Sequence, residues 1–538
     1  MYYPTLSRRG LKAKAKTAYA RITLNRYTTA FFVFSFIYCF IQGLVQSFLF
    51  STDVAYSTVV SGIVRGGNIP FKNITYLEGS SGNLILRICN DIPHGQPVFP
   101  CITIFNSTVD SSTSVNGSVR SLGAWQKGMD VLPISGPPPT NISGVNITVP
   151  DSPSMFLSEQ CLETLVYPSQ ILKNFIREDI TWVCLQFWLV AISFLAILND
   201  SVPHVLAVLM TRTISTAWAA YAIWRGPTFN SNFEEIIASP GSPCSLEVFA
   251  SFFSTRQGFE IADLILSCTG LIFFSYLSWT LLQIYSAQSF KCVGAPEHVM
   301  RIHKFFMAVL ACLQMEAFVL TAGMGLWINV LTSTSIKLIS EHTGAYQAVY
   351  ITSVVLLLPW IAMGWYSIRR EMRRLMVIFL AIGFIITTGW AVMFDSIVFR
   401  WTFVQWPYLG CFTVSSFVLL AASVTLGIVC RINFGKGLAE YLRAESALAA
   451  LNFVPDEFAH RADSVRFSKD FKQSTARSSL ETHEDLMNAE PMFFVSTLSG
   501  RAAPAESGTF AQQPSSSNTS RSTVIMKTDL NRRPPVPF

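Results

Sequence analysis

Charge is scarce in this chain. Asp, Glu, Lys and Arg make up only 13% of its 538 residues, against 51% hydrophobic residues and a mean hydropathy of +0.40. Water-soluble domains carry about 25% charged residues, so a string of such domains is excluded and an α-helical polytopic membrane protein is indicated. Catalytic signatures are missing as well: the chain has no HExxH, GxSxG, P-loop, CxxC or paired catalytic carboxylates. We therefore expect no enzyme and no cofactor. His298 and His303 flank a basic loop without the cluster that a metal site needs. The net charge of +6 sits in short basic runs beside hydrophobic segments, where it acts on membrane topology. The expected partner is the lipid bilayer, not nucleic acid.

Acidic residues are also absent from the first 26 positions, which hold seven Lys and Arg residues. Residues 1–27 read as a basic cytosolic N-terminus. The apolar run 28–50 that follows is long enough to cross the ~30 Å hydrocarbon core. It exceeds a signal-peptide h-region, and no small-x-small cleavage site follows Phe50, so an uncleaved signal anchor is expected.

What is present next is a polar island, residues 51–179. It carries sequons at Asn73, Asn106, Asn116, Asn141 and Asn146, five of the seven in the chain. N-glycosylation occurs on the lumenal or external side, which would place the island outside. Short β-branched and aromatic runs at Asn73–Leu77, Asn83–Cys89, Val98–Phe105 and Val145–Val149 predict a small β-rich ectodomain, an antiparallel sandwich by preference over a glycan-covered stalk. Gln170–Asp179 reads as a short helix leading into the membrane. Cys89, Cys101, Cys161 and Cys244 fall outside, in an oxidising compartment. Four cysteines permit three pairings, and we favour Cys89 with Cys101 and Cys161 with Cys244.

Seven further apolar segments between 180 and 430 complete a seven-transmembrane-helix bundle. The tightest reversal falls at Asn199-Asp200-Ser201-Val202-Pro203, where Ser201 can cap the incoming helix and Pro203 can occupy its first turn. Charge tests the orientation. Inner segments hold sixteen basic residues, and the short outer loops hold four: Arg225, Arg256, Lys337 and Arg400. Both termini are then cytosolic, and the sequons at Asn199 and Asn518 fall inside, unmodified.

Within the bundle, Arg212 and Glu316 lie at matching depth on two helices running in the same direction. An ionisable group at that depth needs a partner or a task, so we expect a buried ion pair. His204, on nearly the same face as Arg212, and Gln314, beside Glu316, extend a polar path. Phe399–Tyr408 is aromatic enough to anchor an interface or meet a ligand. Cys430 borders the membrane and is a candidate for palmitoylation. Beyond it, residues 431–463 form a membrane-proximal amphipathic segment and 464–538 read as a disordered cytosolic tail with a terminal PxxP suited to a cytosolic partner.

The segments Ser201-Val202-Pro203-His204 with Ala217-Trp218-Ala219, Phe399-Arg400-Trp401-Thr402-Phe403, and Val429 to Leu438 resemble a group of uncharacterised fungal polytopic membrane proteins. That resemblance implies topology alone, over the bundle and membrane-proximal tail. In architecture, the Wntless and GOLD-domain seven-helix proteins are similar. A receptor-like sensor of an unknown extracellular or lumenal ligand is expected, at the plasma membrane in preference to the Golgi or endoplasmic reticulum. Cargo sorting and solute transport are the alternatives.

Overall fold

A computed structural model describes residues 8–69, 74–93, 100–110, 119–122, 125, 128–135, 142–150, 153–291, 296–334, 336–339 and 343–437. Asn73, Asn116, Asn141, the amphipathic segment and tail from 438 onward, and the PxxP all lie outside the described residues. The chain begins with α1 (Arg8–Ile22) and α2 (Arg26–Gly66). Six strands and a short helix follow: β1 (Ile74–Ser80), β2 (Asn83–Cys89), β3 (Cys101–Asn106), α3 (Ser107–Asp110), β4 (Arg120–Ser121), β5 (Asp130–Ser135) and β6 (Ile142–Thr148). Next come β7 (Met155–Ser158), α4 (Glu159–Leu198), α5 (Val202–Phe233) with a π-helical turn at Glu234–Ala238, β8 (Leu246–Glu247) and α6 (Phe252–Lys291). The rest is helical: α7 (Glu297–Ser333), α8 (Ile336–Ile339), α9 (Thr343–Arg369), α10 (Arg373–Met393), α11 (Ile397–Gln405) and α12 (Pro407–Asn433).

Eight of these helices are long and apolar enough to cross a membrane: α2, α4, α5, α6, α7, α9, α10 and α12. The protein is an integral membrane protein. The eight fall into two groups by packing. One joins α2, α4, α5 and α6, with a core built on Phe31, Leu189, Val205 and Phe274; the other joins α7, α9, α10 and α12 around Trp327, Trp360, Phe379 and Leu420. Helix α5 lies against α7 and bridges the two.

Helix α2 is therefore a full member of the bundle, in contrast to the expectation of a separate anchor beside seven helices. Its sequence gives the reason. Tyr38, Gln42, Gln46, Leu49, Asp53, Tyr56, Val60 and Ile63 recur every three or four residues and are all buried. A stripe with two glutamines and an aspartate cannot face lipid, so it packs on α4 and α6.

The boundaries expected at Ser51 and Asp179 also give way. Helix α2 has 41 residues and α4 has 40, about 60 Å each and twice the bilayer core. Residues 51–66 and 159–179 continue these helices out of the apolar zone and into the domain. The domain core places Val59, Val60 and Ile63 of α2 and Leu162, Leu165, Leu172 and Phe175 of α4 against the strands. At its start α2 is capped by Asn25, whose side chain accepts from Tyr27 N, while Thr28 Oγ1 accepts from Asn25 N in a capping box.

The predicted strands at Asn83–Cys89, Val98–Phe105 and Val145–Val149 correspond to β2, β3 and β6. They sort into two antiparallel three-stranded sheets, β1-β2-β3 and β5-β6-β7. Alternation fixes the register: Leu84, Leu86 and Ile88 of β2, and Val145 and Ile147 of β6, point inward. The β1–β2 turn depends on Gly79 and Gly82, both at positive φ, and a Cβ on Gly79 would sit 2.0 Å from the Asn83 carbonyl oxygen. The helical extensions share one core with both sheets, so the domain is not a free-standing sandwich. Each three-stranded sheet has one apolar face, and the helices supply its cover.

Both favoured disulfides are present. Cys89–Cys101 joins directly paired residues of β2 and β3, and Cys161–Cys244 ties the start of α4 to the α5–α6 loop across 83 residues. Beside the second bridge, β4 and β8 pair in parallel, and Arg120 donates to the carbonyls of Cys244 and Phe156, both at 3.1 Å. The chain reverses between α4 and α5 in three residues, with Asp200 at φ 46°. Ser201 occupies the N-cap position, yet its hydroxyl meets His204 Nδ1 at 2.7 Å and not the helix backbone.

Candidate functional site

The domain-side half of the first helix group encloses a buried charge network. Helix α2 contributes Asp53; α4 contributes Glu178 and Asp179; α5 contributes Arg212 and Arg225; α6 contributes Arg256, Glu260 and Asp263. Arg225 grips Glu178 with both terminal nitrogens, one at 3.3 Å from Oε1 and the other closing a short bond to Oε2. Glu178 Oε1 also accepts the indole N–H of Trp406, at 2.8 Å. Arg256 donates from Nε to Glu260 at 2.9 Å and from Nη1 to Asp53. The ring of Phe175 lies between the two guanidiniums, 5.5 Å from that of Arg225 and 4.2 Å from that of Arg256. Delocalised, weakly hydrated guanidinium suits such a place, where an ammonium would not.

Below this layer Arg212 donates to Gln42 Oε1 at 2.6 Å, and the Gln42 amide donates in turn to Ser267 at 2.9 Å. Phe274 covers the guanidinium at 4.6 Å. Between the layers is a polar cavity of about 40 Å³, bordered by Gln46, Asp179, Gln186, Trp218, Asp263 and Ser267 among others.

A second, larger cavity of about 160 Å³ opens where the domain meets the bundle, lined by Thr75, Tyr167, Lys173, Arg177, Trp401 and Trp406 among others. Among the described residues its lining includes two cations and no carboxylate. Arg177 donates to Asn329 at 2.7 Å, Asn174 at 2.8 Å and Ser333 at 3.0 Å, all neutral acceptors. Trp406 belongs to both places: its ring lines this groove, 5.7 Å from the Arg177 guanidinium, and its N–H reaches Glu178.

The structure does not bring Arg212 and Glu316 together. Arg212 faces α2 and α6, whereas Glu316 faces Ser423 of α12. Glu316 is fully buried beside the Ser423 hydroxyl, and among the described residues no cation reaches its carboxylate. An ionised carboxylate without a cation in that setting would cost several kcal/mol, so the side chain is a neutral acid. Glu316→Gln should therefore change stability by less than about 1 kcal/mol, whereas loss of one member of a buried ion pair costs about 3–5 kcal/mol. Thermal melting of the purified variant separates the two.

The other expected residues fall as follows. His204 is buried against Trp365 at 5.4 Å, at the end of the bundle remote from the domain, and Gln314 is half-buried. Cys430 is fully buried in the α7–α12 core, so its thiol is enclosed and unsuited to acylation in this conformation. Asn106 Oδ1 accepts from the amide and the hydroxyl of Thr108, its own sequon partner, and Asn146 lies on β6. Trp406 and Tyr408 are buried and not interfacial. Arg225 and Arg256, counted above as outer-loop charges, are buried in α5 and α6. With them removed, the charge bias of the loops becomes steeper.

Sequence reasoning missed most of this network. Its readable signal was the i, i+4 placement of Gln42 and Gln46 followed by Asp53, and Glu178-Asp179 directly before an apolar run. Compared with known families, with curated proteins and with solved structures, the chain matches none of them.

Proposed function

We propose that the protein is a receptor-like membrane sensor in which the groove between domain and bundle receives a ligand and the charge network relays its presence. The observation that carries this reading is Trp406, which lines the groove with its ring and holds Glu178 with its N–H. A ligand that shifts this ring changes the hydrogen bonding of the Glu178–Arg225 pair, in the layer next to Arg212. The domain is then outside and glycosylated and both termini are cytosolic, as the sequons and loop charges support, and we place the working location at the plasma membrane. At the opposite end, Gly435 N donates to Glu371 at 3.1 Å and Arg373 donates to the Phe434 carbonyl at 3.4 Å. These bonds fix the point from which a signalling tail departs.

Two cations and two tryptophans, with no carboxylate among the described lining residues, favour an organic anion with an apolar body, so benzoate is a suitable probe. In nanodiscs, benzoate should alter hydrogen exchange in the backbone of residues 369–373 and 433–437. Trp406→Phe should retain benzoate protection around the groove and abolish the distant effect. Protection confined to the groove in the wild type, or no protection at all, would refute the relay.

A further inference from the structure

The network contains more negative than positive groups. Five carboxyl groups, Asp53, Glu178, Asp179, Glu260 and Asp263, face three guanidiniums, all buried or nearly so. Arg225 is engaged by Glu178, and Arg256 by Asp53 and Glu260. Arg212 donates to a neutral amide and only attracts Asp263 from a distance, with no direct ion pair. An excess of two negative charges in an apolar interior costs far more than a protein's net stability, so two positive charges must be bound.

Three unpartnered oxygens show where. The carboxyls of Asp53 and Asp179 stand close enough to share a hydrogen, yet both are acceptors. Asp53 Oδ1 and Asp179 Oδ2 have no donor among the described residues, and neither has Asp263 Oδ1. The adjoining cavity of about 40 Å³ has room for water. Gln186, 3% exposed, borders the cavity, and its carbonyl oxygen is likewise unpartnered. It is placed to accept from a protonated carboxyl or a water.

We propose that this cavity is a binding site for two protons, one held between Asp53 and Asp179 and the other on Asp263. Further titratable groups facing the site are Tyr408 and Cys411 of α12, near Glu178, and Tyr38 and Cys39 of α2, near Arg212. None carries a positive charge that would offset the acids. A bound metal ion fits less well: among the described residues no three His, Cys, Asp or Glu side chains converge with metal-holding geometry. Asp179 and Asp263 border the cavity and Asp53 stands beside Asp179, so one proton serves the pair and the other Asp263.

Infrared difference spectroscopy in nanodiscs tests the assignment, because a protonated carboxyl has a carbonyl stretch that a carboxylate lacks. At neutral pH, Asp179→Asn and Asp263→Asn should each remove one carboxyl's intensity from that band and melt with the wild type, since each replaces a neutral acid by a neutral amide. Retention of the full band in both variants would overturn the proposal. So would a wild-type melting temperature that climbs with sodium at constant ionic strength, which would assign the charge to a metal cation. Should Asp179→Asn fail to fold, Asp53→Asn and the deuterium shift of the wild-type band on alkaline titration decide the matter.

Discussion

Arg256→Leu should be the most damaging single substitution in the bundle, costing about 3–5 kcal/mol of stability. The guanidinium is nearly inaccessible and serves Asp53 and Glu260 at once, so its removal leaves two carboxylates without a cation. Melting of detergent-solubilised protein would show the loss, and lowering the pH should reduce it, because the stranded acids can then take up protons. Arg256→Lys should recover only part, since an ammonium cannot match two carboxylates approached from different helices at Nε and Nη1. The informative control is Arg256→Leu with Asp53→Leu and Glu260→Gln. Apolar replacement of a buried ion pair is often neutral, so recovery in the triple variant would show that the single-variant loss is the cost of orphaned charge.

Removing the Cys161–Cys244 bridge should produce the second largest effect. For the 83 residues it spans, chain entropy alone gives about 4.5 kcal/mol. That figure is an upper bound, because α4 and α5 occupy most of the span and the bilayer already restricts them when tertiary contacts are lost. A loss of about 2–4 kcal/mol is expected for Cys161→Ala with Cys244→Ala. Its location is more diagnostic than its size. The bridge, the β4–β8 pair and the Arg120 bonds together hold the α5–α6 loop on the domain, so limited proteolysis should open residues 239–251 first. Cleavage inside the bundle before that loop would contradict this account.

These two cases mark where the sequence was legible. Helix number and the disulfide pairing followed from apolar length, compartment and spacing, all local quantities. The extents of α2 and α4 did not, because a hydropathy run ends where charge begins, at Asp53 and at Asp179, while the helix continues through both. The same rule hid the site: Arg225 and Arg256 fell beyond the apolar runs and so passed for loop charges. Position along its own helix was readable from sequence for Arg212 and for Glu316. Azimuth was not, because it depends on which neighbour each face meets, and Glu316 turns to α12 while Arg212 turns to α2.

Helix α2 runs unbroken for 41 residues from one membrane face into the domain core and contains no proline. Mechanically it is a rod of about 60 Å with no joint. A rotation of roughly 10° about its middle would displace its two ends by a combined distance of about 10 Å. Asp53 lies about 10 Å along the rod from its middle, toward the domain, clamped to α6 through Arg256. In the proposed relay the buried charges would act as the bearing of a lever, and a small push on the domain would arrive at the opposite end as a sweep of the basic N-terminal helix.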